Sequence, residues 1–584
     1  MTEPRSAGAG RAGEGSGAAG VVPAPGASGR GLDALLDSWM RQELDAEPVT
    51  ASGLGLVEHD GRLPDRSAGS WQLREQRDRE CVARLEAVAD EGLSIDQRID
   101  RDALIAALSG REVLAGWQEW RRDPGLYTEP GLMGVFVLFA HGLRPLPELV
   151  GAATARLAGV GELLSQGRAN LDAGLAHPML LRRAVAQARA GASYCHALPS
   201  QVGGDGTPEL ADAAGAAAES FAGFAEHLDD LASRATGEWA IGEQRYTDLL
   251  RRRELLVEDA ARLSESGAAA WEEIGAAMEE LAGRAARAAG LDPESLPPGP
   301  ARTRWSAVLA ALNDDHAGDF DELLVEYTAA TRRARSFLVE NDVVTLPPGE
   351  ECEVEPAPGF RRAILAVASY MAPPAFGASR AGRFFVPFPP GGIPPEEVAQ
   401  RLRTNSRASI PTITTHETYP GHHWHLSTAQ SGGRRIRQLV RTPYFSEGWA
   451  LFAERVMASH GYFEDPRHHL AHLDARLFRA ARIVVDVGLH TGELSVEAAV
   501  EHMVRRANLS PSTARAEVTR YCAWPTQAAS YLTGALEIER LSQRWLAEGR
   551  GSLKGFCDRL AATGSLPPSL AASSVFASPV AGQR

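Results

Sequence analysis

Apolar residues recur at three- and four-residue spacing from Leu32 onward, as in "GLDALLDSWMRQEL" (31–44) and "SIDQRIDRDALIAALSGREVLAGWQEW" (94–120), a period that predicts amphipathic helices. The stretch 245–289 has no proline and is rich in Ala, Glu, Leu and Arg, so it predicts one long helix or two stacked ones. "LDPESLPPGP" (291–300) interrupts that pattern. The C-terminal half then changes character. "EECEVEPAPGF" (350–360) and "GRFFVPFPPGG" (382–392) are short aromatic and β-branched runs bounded by Gly and Pro, which predict strands or extended edges. Pro387, Pro389 and Pro390 lack the backbone donor a ladder needs and are read as excluding a central strand there. Further helices are predicted over 411–428, 444–460, 467–490, 495–507 and 525–548. Phe384, Phe385 and Phe388 read as core, as do Trp449 and Phe452. The expected fold is mainly α, with a small β element just before the helix that starts near 411.

A chain of 584 residues exceeds one ordinary hydrophobic core, so more than one subdomain is expected. The Gly-, Ala-, Ser- and Pro-rich residues 1–30 cannot bury enough apolar surface to offset chain entropy and read as a disordered tail. An N-terminal helical subdomain is expected over 31–300 and a C-terminal catalytic one over 301–575. Net charge is -15, which argues against nucleic acid or an anionic membrane surface as the main partner. The five cysteines are far apart and form no C-x-x-C pair, so a reducing compartment is expected. The N-terminus has no apolar h-region, and the longest strongly apolar run, 134–140, is too short to span a bilayer. A cytoplasmic location follows as an expectation; the oligomeric state does not follow from the sequence.

Candidate chemistry lies in "TITTHETYPGHHWH" (412–425). His416-Glu417 opens like the zinc-peptidase motif H-E-x-x-H, yet Pro420 stands where the second histidine belongs. The next histidines are His422 and His423. Zinc takes imidazole nitrogen and carboxylate oxygen at about 2.0–2.2 Å, which places two ligands within roughly 4 Å of each other. On a regular helix His423 would share a face with His416 but lie about 10 Å along the axis, at a rise of ~1.5 Å per residue. His422 would point to another face, so a regular helix permits neither pair. Pro420 disrupts the helix and Gly421 tolerates unusual backbone angles, so "YPG" can form a bulge that returns a later histidine towards His416. Glu447, in "YFSEGWALFAE" (444–454), follows His422 by 25 residues and is a candidate third ligand. Ser446 reads as a helix cap. Glu454, two turns on, reads as support for a ligand or as a satisfied helix charge. Downstream, "ARIVVDVGLHTG" offers Arg482, Asp486 and His490, and "RYCAWPTQAASYLTG" offers Arg520, Tyr521, Gln527 and Tyr531. Asp486 and His490 can equally be an ordinary i,i+4 pair. His425, His468, His469 and His472 read as surface histidines. The competing view of "GHHWH" is a solvated, histidine-rich helix start.

The segments "HETYPGHH", "SEGWALFAE", "VVDVGLH" and "RYCAWPTQAASY" resemble the bacterial family called domain of unknown function 885, with a weaker likeness over about 31–570. That resemblance implies kinship with the His-Glu zinc metallopeptidases of the thimet oligopeptidase and carboxypeptidase Taq type. It implies a helical metallopeptidase-like fold with the active site in a cleft or channel. Matching Gly-His to Gly-His selects His422 over His423, with His416, His422 and Glu447 as ligands of Zn2+. Glu417 then matches the general base. Tyr531 matches a tyrosine that stabilises the oxyanion; His490 is assigned beside it, with Asp486 orienting that ring. Thr526 stands where the family has glycine. The expected function is a zinc-dependent hydrolase, a metallopeptidase acting on a peptide or small amide substrate through a metal-activated water. Two other classes compete: a metal-dependent amidase or lyase acting on a small metabolite, and a non-catalytic helical binding protein. A narrow, closed pocket would mark the first. An intact Glu417 beside a metal argues against the second.

Overall fold

The structure is a computed structural model. It describes all residues except 1–26, 203–206, 293, 300, 359–361, 363–366, 433 and 578–584. The tail expected over 1–30 therefore lies outside the described residues up to 26; from Ala27 the chain is already helical. Twenty-two α-helices and one three-stranded sheet are present among the described residues. No helix among them is long and apolar enough to cross a membrane.

The predicted helices near the candidate site appear as Pro443–Ser459, Pro466–Thr491, Val496–Arg506 and Ser530–Ala547. A helix at Pro511–Ala523 was not foreseen. Its polar, arginine-rich face obscures the apolar period, and only Ala514, Val518, Tyr521 and Cys522 are buried. The proline-free stretch from 245 divides. Glu243–Asp248 runs into a π-helical turn, and Ala260–Ala288 starts afresh behind an Asp259 cap.

The sheet has the order β1-β3-β2, with β1 Glu350–Pro356, β2 Ser369–Met371 and β3 Arg380–Val386. β3 is the middle strand, parallel to β1 and antiparallel to β2. This corrects the exclusion drawn from the prolines: the ladder ends at Val386, one residue before Pro387, so the prolines terminate a central strand and do not forbid it. Phe384 and Phe385 are fully buried, and Phe384 meets Tyr327 edge-on at 5.2 Å.

Hydrophobic clusters run across position 300. One joins Leu104 and Leu108 to Trp449, Phe452 and Phe556. Another joins Met278 and Leu281 to Trp305 and Leu477. The two expected subdomains thus share their interior.

The helix Pro443–Ser459 lies at the centre, with Tyr444, Phe445, Trp449 and Phe452 all buried. Thr442, not Ser446, caps it, accepting from the Tyr444 N–H at 3.1 Å. Its crossing with Ser530–Ala547 is so close that only glycine fits. A Cβ on Gly534 would lie 1.8 Å from the Tyr444 carbonyl oxygen, and one on Gly448 would lie 2.7 Å from the Gly534 Cα. This contact sets Glu447, one residue before Gly448, and Tyr531, three residues before Gly534, on the two crossing helices. Gly534→Ala should therefore destabilise the protein by about 1–3 kcal/mol, the usual cost of forcing a methyl into packed backbone. Urea denaturation of the variant against the parent measures this; equal midpoints would refute the close approach.

Candidate metal centre

The predicted helix over 411–428 is in fact two. Ile410–Glu417 ends at Thr418, and His422–Gln430 begins three residues after Tyr419. Between them the chain reverses tightly. Thr418 N–H donates to Thr414 O at 2.8 Å, Gly421 N–H to Thr415 O at 3.1 Å, and Trp424 N–H to Thr418 O at 3.1 Å. The Trp449 indole donates to the Pro420 carbonyl at 2.9 Å and fastens the turn to the central helix. Gly421 needs its missing side chain more than its backbone freedom: a Cβ there would lie 1.9 Å from His416 O and 2.3 Å from Thr415 O. The inserted residues thus break the helix outright, where a bulge within it was expected.

The break brings His416 and His422 together, with ring centroids 4.9 Å apart and planes nearly perpendicular. Glu447 reaches both: its Oε2 lies 3.5 Å from His416 Nε2 and 3.4 Å from His422 Nε2. One donor atom from each of the three lies within 4.8 Å of the others. Donors about 2.0–2.1 Å from a tetrahedrally held ion would be separated by ~3.4 Å, so the two measured pairs have the spacing of donors to one metal ion. Glu454 settles the tautomer. Its Oε1 lies 2.8 Å from His416 Nδ1, which places the ring proton there and leaves Nε2 free to ligate. The other oxygen, Oε2, meets His472 Nδ1 at 3.2 Å.

The electrostatics favour a cation. Burial would raise both carboxyls, but His422 and His416 hold Glu447 well below its ordinary value, and His416 and His472 hold Glu454 at about 2. Burial would likewise lower His416, yet its hydrogen bonds with Glu447 and Glu454 lift it to about 9. A proton on His416 stands in for positive charge between two carboxylates.

Glu417 turns the other way, towards β2. Its Oε2 accepts the Tyr370 N–H at 3.0 Å. Burial pushes its pKa up against the pull of His416 and His422. His423 faces away from the cluster, with its Nε2 2.9 Å from Glu350 Oε2 and its Nδ1 3.0 Å from the Tyr370 hydroxyl. Glu350 also accepts from Tyr419 and from Arg335, so its charge is fully engaged. Tyr531 is half-buried; its hydroxyl accepts from Gln527 Nε2 at 3.5 Å, and the Arg482 guanidinium lies 4.7 Å from its ring centroid.

His490 is fully buried. Its Nε2 meets the Tyr521 carbonyl at 3.0 Å, and its ring packs on Tyr246 and Trp239. Asp486 accepts from the Tyr246 hydroxyl at 2.7 Å and stands 3.8 Å from His490. None of these partners belongs to the cluster. Two of the supposed surface histidines are buried as well: His425 packs between Phe445 and Trp449, and His472 stacks on Phe463 and bonds Glu454. His468 and His469 are half-buried. Tyr370, Glu350 and His472 carry no spacing signal relative to the His-Glu pair, because the chain brings them in from 46 to 67 residues away. Thr526 has φ +72, a left-handed conformation that favours glycine, and its hydroxyl is held by Arg253 at 2.6 Å.

The chain belongs to the family described as "Bacterial protein of unknown function (DUF885)", which matches residues 48–575. No curated protein matches it. Two solved structures share the fold. One is a "putative lipoprotein of unknown function" from Shewanella oneidensis, 18% identical, with TM-score 0.73, covering 93% of this chain and 98% of that one. The other is a "putative lipoprotein" from Colwellia psychrerythraea, 19% identical, with TM-score 0.78, covering 94% of this chain and 99% of that one.

The geometry generates a graded set of zinc affinities, measurable by chelator competition with circular dichroism as the fold control. His422→Ala should lose the metal and His423→Ala should keep it. Glu454→Gln should weaken binding about 10–100-fold, as loss of a carboxylate behind a ligating imidazole does. Gly421→Ala should weaken it by a similar ~10–100-fold, since the added methyl must push His416 and His422 apart. Metal loss in His423→Ala alone would require a different ligand set.

Proposed function

We propose that the protein is a zinc-dependent hydrolase of peptide or amide bonds, of the metallopeptidase type, with the reaction in a cleft beside the His422 helix. The observation that carries this reading is the convergence of His416 Nε2, His422 Nε2 and Glu447 on one point, with Glu417 adjoining His416 in the chain. These three side chains would hold Zn2+, a donor set of the kind found in catalytic sites with three protein ligands. When bound, the ion would supply Lewis acidity towards a carbonyl and would acidify a water.

The chain's own groups do the rest. Glu417 has one oxygen held by the Tyr370 N–H, so the carboxylate is oriented while its other oxygen can take a proton. Burial raises its basicity, which suits a group that removes a proton from water and returns it to the leaving amine nitrogen. The water oxygen bonds to the carbonyl carbon, the C–N bond breaks, and the proton on Glu417 completes the amine. Tyr531 donates its hydroxyl proton towards the carbonyl oxygen as charge develops there, oriented by Gln527, which Arg520 in turn holds at 2.7 Å. His490, being buried, acts as a positioning residue: it supports the Tyr521 carbonyl at the head of the loop that carries Gln527.

Strand addition to β3 cannot align a substrate, because residues 383–385 are paired on both sides. Glu454 holds the proposed ligand His416, and His472 in turn holds Glu454.

Glu417→Gln should keep its zinc and lose about 10²–10⁴-fold in turnover. Tyr531→Phe should lower kcat with little change in zinc content. The assay is a peptide-library digest of the zinc-loaded protein, followed by kinetics on the best substrate. Parent-like turnover in Glu417→Gln would remove this residue from the mechanism, and an undigested library would sink the peptidase reading.

A further inference from the structure

His423 stands outside the three-donor cluster, yet it is fully buried and bonded at both ring nitrogens. Its Nε2 lies 2.9 Å from Glu350 Oε2, and its Nδ1 lies 3.0 Å from the Tyr370 hydroxyl. Glu350 opens β1 and also accepts from the Arg335 guanidinium at 2.9 Å and from the Tyr419 hydroxyl. A carboxylate paired with arginine only accepts, so the imidazole proton belongs on Nε2. That leaves the Nδ1 lone pair to accept from Tyr370. Two tyrosines flank the ring edge-on, with centroids 5.0 Å away for Tyr419 and 5.5 Å for Tyr370. His423 is thus fixed in one orientation, with its free nitrogen aimed at Tyr370.

Tyr370 is the middle residue of β2, a three-residue strand at the edge of the sheet. Its side chain lies across β3 at Gly382, and only glycine leaves room for it. A Cβ at Gly382 would lie 2.0 Å from the Tyr370 Oη and 2.6 Å from its ring. The Tyr370 backbone N–H donates to Glu417 Oε2 at 3.0 Å. So short an edge strand has few ladder bonds to hold it, and the hydroxyl anchored on His423 sets where this N–H points. One chain of contacts therefore runs from Arg335 through Glu350, His423 and Tyr370 to Glu417. Resting on the hydrolase reading above, we propose that His423 is a positioning residue for the base Glu417, acting through Tyr370. A carboxylate that takes a proton from one water depends on its orientation, and a misplacement of ~1 Å can cost about 10²-fold in rate. The two consecutive histidines divide the work, His422 on the metal and His423 on the base.

Three variants of the full-length protein test this. Tyr370→Phe removes only the hydroxyl. His423→Gln can still donate to Glu350 but has no acceptor in place of Nδ1. His423→Asn is the converse: its amide oxygen stands in for Nδ1, while Glu350 loses a donor. The first readout needs neither metal nor turnover. Amide hydrogen exchange of the peptide carrying Tyr370, followed by mass spectrometry with and without zinc, should quicken about tenfold in Tyr370→Phe and His423→Gln, the scale of one lost hydrogen bond. Unchanged exchange in both overturns the proposal. The second readout is kinetic. In both variants kcat should fall about tenfold or more, with KM and zinc content unchanged, within the ~10²–10⁴-fold that a base contributes. Parent-like kcat despite quickened exchange overturns the positioning role. The third compares kcat with Tm. His423→Asn should be the less stable of the two histidine variants and yet retain the higher kcat; if kcat simply follows Tm, His423 is structural and the proposal fails. Should His423→Gln not fold, Tyr370→Phe, which leaves Glu350 and His423 paired, decides by the first two readouts. Quickened exchange in a protein whose parent hydrolyses no peptide would sustain the hold of His423 on Glu417 and refute only the hydrolase reading.

Discussion

The arrangement of the centre depends on one close contact, the backbone of Gly421 against the carbonyls of Thr415 and His416. A methyl at that point would overlap His416 O at 1.9 Å. Without the contact the chain could not reverse after Glu417, and His416 and His422 would project from different faces of one continuous helix. With it, two histidines six residues apart meet at 4.9 Å between ring centroids. The third donor follows from a second contact of the same kind, where Gly448 and Gly534 let two helices approach until their backbones touch and bury the Glu447 helix at the centre of the molecule.

Around these contacts the buried charges are divided between two carboxylates with separate tasks. Glu454 takes His416 and His472. Glu350 takes His423, Tyr419 and Arg335. Three buried imidazoles therefore share two acids, and the consecutive residues His422 and His423 are committed to different carboxylates, Glu447 and Glu350. Burying such groups unpaired would be prohibitive, so their pairing is a condition of the fold as much as of the site. Tyr370 joins the two halves: its hydroxyl meets His423, while its backbone N–H orients Glu417.

The helical period was legible wherever one face of a helix is apolar and the other polar, as at Pro466–Thr491. It failed for Pro511–Ala523, where few buried residues mark the face. The prolines after Val386 were legible as a strand end but not as the end of a central strand, because which strands flank β3 depends on chain 30 residues upstream. His425 and His472 were misread as surface residues for a related reason. A histidine's burial depends on which aromatic rings the fold stacks against it, here Phe445, Trp449 and Phe463.

Sequence alone determined that the protein is mainly helical, that Pro420-Gly421 interrupts a helix at the His-Glu pair, and that Glu447 follows at a spacing suited to a third donor. These properties are local, set by period, by proline's missing donor and by glycine's missing Cβ. Tertiary structure alone decided that His423 turns to Glu350, that Glu454 holds the Nδ1 of His416, and that His490 is buried against Tyr246 and Trp239. Each of these depends on contacts between segments tens to hundreds of residues apart, where packing and the cost of unpaired buried charge select the partner, and no short-range pattern records that choice.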